Sequence, residues 1–370
     1  MPIPFLDLTR QYRDVEAEIN GALMRVVSGG AYILGSEVEA FEFEWANFCS
    51  VGGAATVANG TDALSLALTA SGAVRKGRRD EVITTSLTAA YTALAILNAG
   101  GVPIFADINP RTYTLDSRAV EEAITPRTRA IIPVHLYGQM ADMPAICAVA
   151  ARHHLIVIED AAQAHGARLN ERMAGADGHA AAFSFYPTKN LGAFGDGGAV
   201  VSNDPALIER IKLLRQGGHE AALASEVEGR NSRLDEIQAA ILRVKLKRLE
   251  NWNQQRRRLA RIYDERFTRA HTRASIPQTP EPSEHVYHLY VIKHPERDRL
   301  RAFLAVRGIE TLIHYPYLLH QQTLFRQSAQ PALPVAEQIQ GDILSLPLYA
   351  QLSIEEANEV ADAVLEFDAG

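Results

Sequence analysis

Leu155-Ile-Val-Ile-Glu-Asp160, with Ala180-Ala-Ala-Phe-Ser-Phe185 and Ala199-Val-Val-Ser202 after it, decides the reading of the fold. Each is a short, nearly continuous apolar run, the pattern of a strand covered on both faces. Similar runs occur at Val82–Thr84, Val102–Ala106 and Ala130–Val134. Between them, Asp62–Ala70, Thr88–Asn98 and Met143–His153 carry apolar residues at helical spacing. Alternating strands and helices from about 55 to 205 predict an α/β fold with a doubly wound, mostly parallel sheet. Ligands in such sheets gather beyond the carboxyl ends of the strands, so those ends are where chemistry is sought.

Outward from this core, Ser232 to about Phe267 reads as one long helical region. Ile237, Ile241, Val244, Leu246 and Leu249 form its apolar stripe. Pro277, Pro280 and Pro282 mark a loop. A second αβ unit follows, with a strand at Val286–Ile292, a helix at Asp298–Arg307 and a strand near Thr311–His314. The expected division is a large domain, 1–255, and a small C-terminal domain, 256–370. The 370 residues are 47% hydrophobic and 22% charged, enough for a sizeable core.

The formal net charge of −7 gives no broad attraction to nucleic acid or acidic membranes. The Arg256–Arg258 cluster is offset by Glu250, Asp264 and Glu265 and reads as a solvated helix face. No basic segment followed by an apolar one opens the chain, and no apolar run approaches the ~20 residues of a membrane span. A cytoplasmic protein without membrane contact is expected. Cys49 and Cys147 are too few for a disulfide framework or a cysteine-rich zinc site. His153 and His154 are adjacent and point to different helix faces. His135, His165 and His179 lack ligand spacing with the cysteines, so no metal is expected.

Asp160 ends its run at the carboxyl edge. Lys189 follows the next strand, within Ser184-Phe-Tyr-Pro-Thr-Lys-Asn-Leu-Gly192. Both project toward the same end of the sheet. A lone loop lysine is ordinarily a surface charge, but a lysine and a carboxylate converging there match the needs of pyridoxal 5′-phosphate. That cofactor takes an amine at its aldehyde and an anion beside its ring nitrogen. Its phosphate needs a site too. Asn59-Gly-Thr-Asp62 opens a helical run, where free N–H groups and the dipole favour an anion. Gly60 permits close backbone approach. Ser184 can add a hydroxyl. Gly195-Asp-Gly-Gly198 leads into a strand and reads as a turn.

Ile158-Glu-Asp-Ala-Ala-Gln-Ala-His-Gly166 and Phe183 to Gly198 resemble the sugar aminotransferases of the DegT/DnrJ/EryC1/StrS family. So do Val134-His-Leu-Tyr-Gly138, Gly229-Arg-Asn-Ser-Arg233, Gln238-Ala-Ala240 and His314-Tyr-Pro316. The likeness runs from Pro4 to Leu348. It implies the pyridoxal-phosphate aspartate-aminotransferase fold and a homodimer with shared active sites. It assigns Lys189 to the Schiff base with the cofactor, Asp160 to the pyridinium nitrogen and Gln163 to the ring near its phenolic oxygen. Gly60, Thr61 and Ser184 would bind phosphate, and Asn231 would reach the phosphate of the other subunit's cofactor. The implied reaction moves an amine from L-glutamate to a nucleotide-linked keto-deoxysugar, usually a dTDP-sugar. Tyr186 is similar to relatives acting on a 3-keto sugar, with His314 and Tyr315 near the sugar. Action at C4 or on a cyclitol, and a non-catalytic cofactor-binding regulator, are the rivals. Two positions depart from the pattern. Ala89 stands where an aromatic usually covers the ring. The acidic stretch 219–228 lacks the lysine that related enzymes place there.

Overall fold

The computed structural model describes residues 2–218, 227–270, 272–276, 278–280, 282–326 and 332–370. A seven-stranded sheet forms its centre. The strands are β1 (Gly53–Val57), β2 (Glu81–Thr85), β3 (Val102–Ala106), β4 (Thr128–Ile132), β5 (Ile156–Asp160), β6 (Ala180–Ser184) and β7 (Gly198–Ser202). Their order across the sheet is β1-β7-β6-β5-β4-β2-β3. Pairing is parallel from β3 through β6 and antiparallel on both sides of β7. Six strands therefore point the same way and β7 runs against them.

Alternating residues cover the two faces, as the pleat requires. Ile83, Ile131, Val157, Phe183 and Val201 join a core with Phe41 and Trp45 of α2 (Ser36–Cys49), which follows α1 (Glu16–Gly29). Val82, Ile132, Ile158, Ala182 and Val200 join another with Leu64 and Leu68 of α3 (Gly60–Ala70). The other helices against the sheet are α4 (Ala90–Ala99), α5 (Met143–His153) and α6 (Pro205–Leu214). Strand β1 was not among the expected elements. It is short, begins with Gly53 and follows Gly52, so its sequence signal is weak.

Helix α7 spans Glu236–Arg269, and its buried face carries Ile241, Leu249, Trp252, Leu259, Tyr263 and Phe267. Its basic face is not wholly solvated as expected, since Arg256 and Lys245 are buried. Arg243 pairs with Glu37 and Glu44, and buried Arg256 donates to the carbonyls of Tyr287 and Leu348. The expected boundary at 255/256 falls inside this continuous helix. Its second half packs on β8 (Tyr290–Lys293), α8 (Arg297–Val306), β9 (Ile343–Leu346) and α10 (Ile354–Ala369), with Leu259, Leu300, Leu344 and Val360 in a separate core. α9 (Pro334–Asp342) precedes β9.

No strand forms at Thr311–His314. Leu312 makes only an isolated bridge to Ser345, on the edge of β9 opposite β8. No helix among the described residues is long and apolar enough to cross a membrane.

Candidate active site

The carboxyl ends of β1, β2, β4, β5 and β6 surround one cleft of about 820 Å³. Asn59, Thr88, Val134, Asp160, Ser184 and Lys189 contribute to its wall from five strand ends and the loop after β6. Gly60, Thr61, Gln163, Tyr186 and Tyr315 also face it. The structure thus gathers eight of the ten expected site residues. Asn231 and His314 are not in the wall. Asn231 is exposed on the surface, bridged to Gln216. His314 turns its ring nitrogen toward Ser345 Oγ, 2.8 Å away.

Asp160 is 5% exposed. Its backbone is locked by Asp160 N–H to Pro133 O and by His135 N–H to Asp160 O. Burial drives its carboxyl upward from the ordinary value, while the Thr92 hydroxyl, the Ala162 amide and the Lys189 charge oppose that rise. Beside it, Glu159 is fully buried and points to the other face. It accepts from His135 and from the amides of Gly175, Asp177 and Gly178. Burial pushes its carboxyl up, but these donors outweigh burial and hold it below the usual value. The adjacent acids therefore divide their work: one is sealed in the scaffold, the other faces the cleft.

Lys189 sits in a tight turn, with its N–H on Tyr186 O and the Ala193 N–H on Phe185 O. A Cβ on Gly192 would lie 2.3 Å from Pro187 O, so only glycine closes this turn. Helix α7 supports it from below. Lys245 Nζ donates to Gly192 O at 2.6 Å, Asn190 donates to Asn253 Oδ1 at 2.9 Å, and the Phe194 N–H donates to Gln238 Oε1 at 2.8 Å. Burial brings the Lys189 ammonium down to about 8, against the pull of Asp160. A large share is therefore neutral amine near pH 8, which is the nucleophilic form.

Gln163 is fixed at both ends. Its Oε1 accepts the Tyr137 N–H at 2.7 Å and its Nε2 donates to the Tyr315 hydroxyl at 2.9 Å. Burial raises the Tyr315 phenol, which stays protonated. Burial and then Lys189 bring His314 down to about 4, so its ring is neutral.

At the other end of the cleft, Asn59 caps α3 by accepting the Asp62 N–H at 2.9 Å. A Cβ on Gly60 would stand 2.8 Å from Ser184 Cβ. The first turn of α3 and Ser184 thus form a cradle that a side chain would fill. Free N–H groups, a hydroxyl and the helix dipole suit a phosphate there. With an amine and an acid farther along the wall, the residues present fit pyridoxal phosphate at both ends.

Thr88 and Thr92 also face the cleft, and sequence reasoning missed them. Their spacing of four at the start of α4 was the available signal. Ala89 is the N-cap of that helix, and Tyr91 lines the cleft while 65% exposed. Residues 219–226 of the acidic stretch lie outside the described residues; Glu228 pairs with Lys76. His153 and His154 are exposed, and His154 is the left-handed C-cap of α5. No group of three or more His, Cys, Asp or Glu among the described residues could hold a metal ion.

The sequence profile of one family matches residues 13–365. The chain belongs to the DegT/DnrJ/EryC1/StrS aminotransferase family. It is a pyridoxal-phosphate-dependent aminotransferase of the α/β class. A Streptomyces venezuelae relative, dTDP-3-amino-3,4,6-trideoxy-alpha-D-glucose transaminase, is 46% identical over 99% of this chain and 96% of its own. A Saccharopolyspora erythraea relative, described as an erythromycin biosynthesis sensory transduction protein, EryC1, is also 46% identical, over 97% and 98%. The crystal structure of S. venezuelae DesV in complex with a ketimine intermediate superposes with a TM-score of 0.96. It is 45% identical and covers 100% of this chain and 99% of its own.

Proposed function

We propose that this aminotransferase transfers the amino group of L-glutamate to a nucleotide-linked keto-deoxysugar, with a dTDP-3-keto-6-deoxyhexose as the preferred acceptor. The observation that carries the reading is the convergence of Lys189, Asp160 and the α3 N-terminus on one cleft. The likeness to the Streptomyces transaminase and to DesV supports the sugar, and Tyr186 on the cleft wall supports the C3 position.

When bound, pyridoxal phosphate supplies an aldehyde for amine capture and a protonated ring that withdraws electrons from the substrate carbon. The protein's part follows from the geometry. Gly60, Thr61 and Ser184 would hold the phosphate through N–H and O–H donors. Asp160 would keep the ring nitrogen protonated with its buried negative charge. Gln163, fixed between Tyr137 and Tyr315, would set the ring's tilt from the phenolic side. Lys189 Nζ would carry the proton from the amine-bearing carbon of the donor to the cofactor's aldehyde-derived carbon, and in the second half in the opposite direction, onto the sugar carbon that receives the amine. A positioned acid–base of this kind contributes about 10²–10⁴-fold. Tyr186, Tyr315 and His314 are read as the sugar's neighbours.

We read the enzyme as a cytoplasmic homodimer in which Asn231 serves the partner's cofactor. Its exposure outside its own cleft supports this. We also read residues 1–255 as the cofactor-binding unit and 256–370 as the smaller one, joined through α7. A purely regulatory role, in keeping with the description of the Saccharopolyspora relative, is the second reading. The complete Lys189–Asp160 pair favours catalysis.

The test is amine transfer. Holoenzyme with L-glutamate and a panel of 3-keto and 4-keto nucleotide sugars and keto-cyclitols is followed by product NMR and by 2-oxoglutarate release. A 3-amino sugar nucleotide is expected. Transfer only to a 4-keto sugar or a cyclitol overturns the substrate, and no transfer with any amino donor overturns the enzyme reading. Light scattering checks the dimer.

A further inference from the structure

Asp160 is served by a chain of hydroxyl donors. Thr92 Oγ1 lies 2.7 Å from Asp160 Oδ2, and Thr88 Oγ1 lies 3.3 Å from Thr92 Oγ1. The Ala162 amide donates to the other oxygen, Oδ1, at 3.2 Å. Both threonines are 2% exposed. An ionised carboxylate can only accept. The Thr92 proton must then point at Oδ2, which leaves the Thr92 oxygen to accept from Thr88. The donor direction is Thr88 to Thr92 to Asp160. Only an Asp160 protonated on Oδ2 would have to reverse it.

The arrangement has a local cause. Thr88 precedes the N-cap Ala89 and Thr92 lies in the first turn of α4, so the hydroxyls are four residues apart and meet. The positive end of the α4 dipole lies on the same side. The titratable groups facing Asp160 are Lys189 from the turn after β6, His135 from the segment after β4, and Tyr315 from the segment before α9. None donates a hydrogen bond to its carboxylate. Burial favours the neutral acid, and these hydroxyl and amide donors favour the anion.

We propose that Thr92, backed by Thr88, is a positioning residue that keeps Asp160 ionised and aimed at the ring nitrogen of pyridoxal phosphate. The proposal rests on the reading of Asp160 as that nitrogen's partner. Thr92 takes up one lone pair of Oδ2 and fixes the plane of the carboxylate. With Thr92 on Oδ2 and the Ala162 amide on Oδ1, the carboxylate keeps acceptor capacity for the ring N–H at the cleft that Asp160 lines. Removing the hydroxyl leaves a buried acid with one amide donor, and the ring nitrogen then holds its proton less firmly.

The experiment loads the wild-type enzyme, Thr92→Val, Thr92→Ser and Thr88→Ala with pyridoxal phosphate carrying ¹⁵N in the ring. The ring nitrogen's chemical shift is followed against pH. Loss of one hydrogen bond to a charged group is worth about tenfold, so Thr92→Val should release the ring proton about one pH unit lower. Its half-reaction with glutamate should slow about tenfold. Thr92→Ser should track the wild type, and Thr88→Ala should fall between. Thr92→Ala serves as a second hydroxyl-free variant if the valine variant fails to fold. Wild-type titration in both hydroxyl-free variants overturns the proposal. So does a serine variant as impaired as valine, which would make shape the cause rather than the hydroxyl. A ring nitrogen unprotonated throughout in the wild type instead overturns the underlying reading of Asp160.

Discussion

Lys189 shows how burial tunes a single amine. Desolvation brings it down to about 8, well below a free lysine. The neutral amine is the form that captures an aldehyde. Capture of pyridoxal phosphate by the cofactor-free enzyme should therefore speed up as pH rises through about 8 and level off above it. Stopped-flow absorbance reads this directly; a rate that falls with pH would contradict the assignment. Lys189→Ala should lose the visible band of the lysine–cofactor Schiff base and lose turnover. Asp160 and Lys189 were legible in the sequence because each follows a recognisable strand and each has a chemical purpose that packing does not explain. Thr92 carried only the weak signal of its four-residue spacing from Thr88. A threonine in an alanine-rich helical run looks like any other small residue until the fold sets its hydroxyl against Asp160.

At the scale of elements, the sheet was readable because its strands are apolar on both faces and are separated by amphipathic helices. Where those signals weaken, the reading failed. β1 opens on a glycine, and β9 begins at Ile343 directly after α9 ends in Gly341-Asp342, with no connecting loop between them. The segment Thr311–His314 is apolar enough to suggest a strand, but only Leu312 makes backbone bonds to β9. The α3 N-terminus gives the sharpest element-level prediction. Gly60→Ala sets a methyl 2.8 Å from Ser184 Cβ in the phosphate cradle. Overpacking of this kind costs about 1–3 kcal/mol, or about five- to hundredfold in cofactor affinity. Fluorescence titration with pyridoxal phosphate measures it, and unchanged affinity would show that the cradle does not hold the phosphate. Behind the same cradle, Arg215 at the end of α6 pairs with buried Glu42 of α2. Arg215→Ala leaves that carboxylate with the Thr56 N–H and hydroxyl and with Lys212 at 3.9 Å, and should cost about 3 kcal/mol of stability in denaturant unfolding. A loss below 1 kcal/mol would mean that solvent reaches Glu42.

Across the whole molecule, α7 joins two cores, and the beginning of the chain closes the second one. Ile3 is 2% exposed within the core of β8, β9 and α10. Its N–H reaches Gly308 O at 2.8 Å, and its carbonyl accepts the Glu310 N–H at 3.0 Å. Arg10 grips Glu356 through two bonds of 2.7 and 2.8 Å. Ile3→Ala should cost about 2 kcal/mol or more, the usual toll for a buried isoleucine, read from the shift in the denaturant midpoint. No shift would show that this end frays. The domain division suggested by the sequence missed this contact, because no local pattern in five residues reveals a partner some three hundred positions away.

That contact ties the molecule to the order of its own synthesis. Domains generally mature as they leave the ribosome, the earliest part first. Here the leading segment has nowhere to dock until Gly308 and Glu310 have been translated, and Arg10 must wait for Glu356. The sheet and its cleft can assemble on the ribosome, while Ile3 and Arg10 remain unseated until residues 308–356 have followed them out.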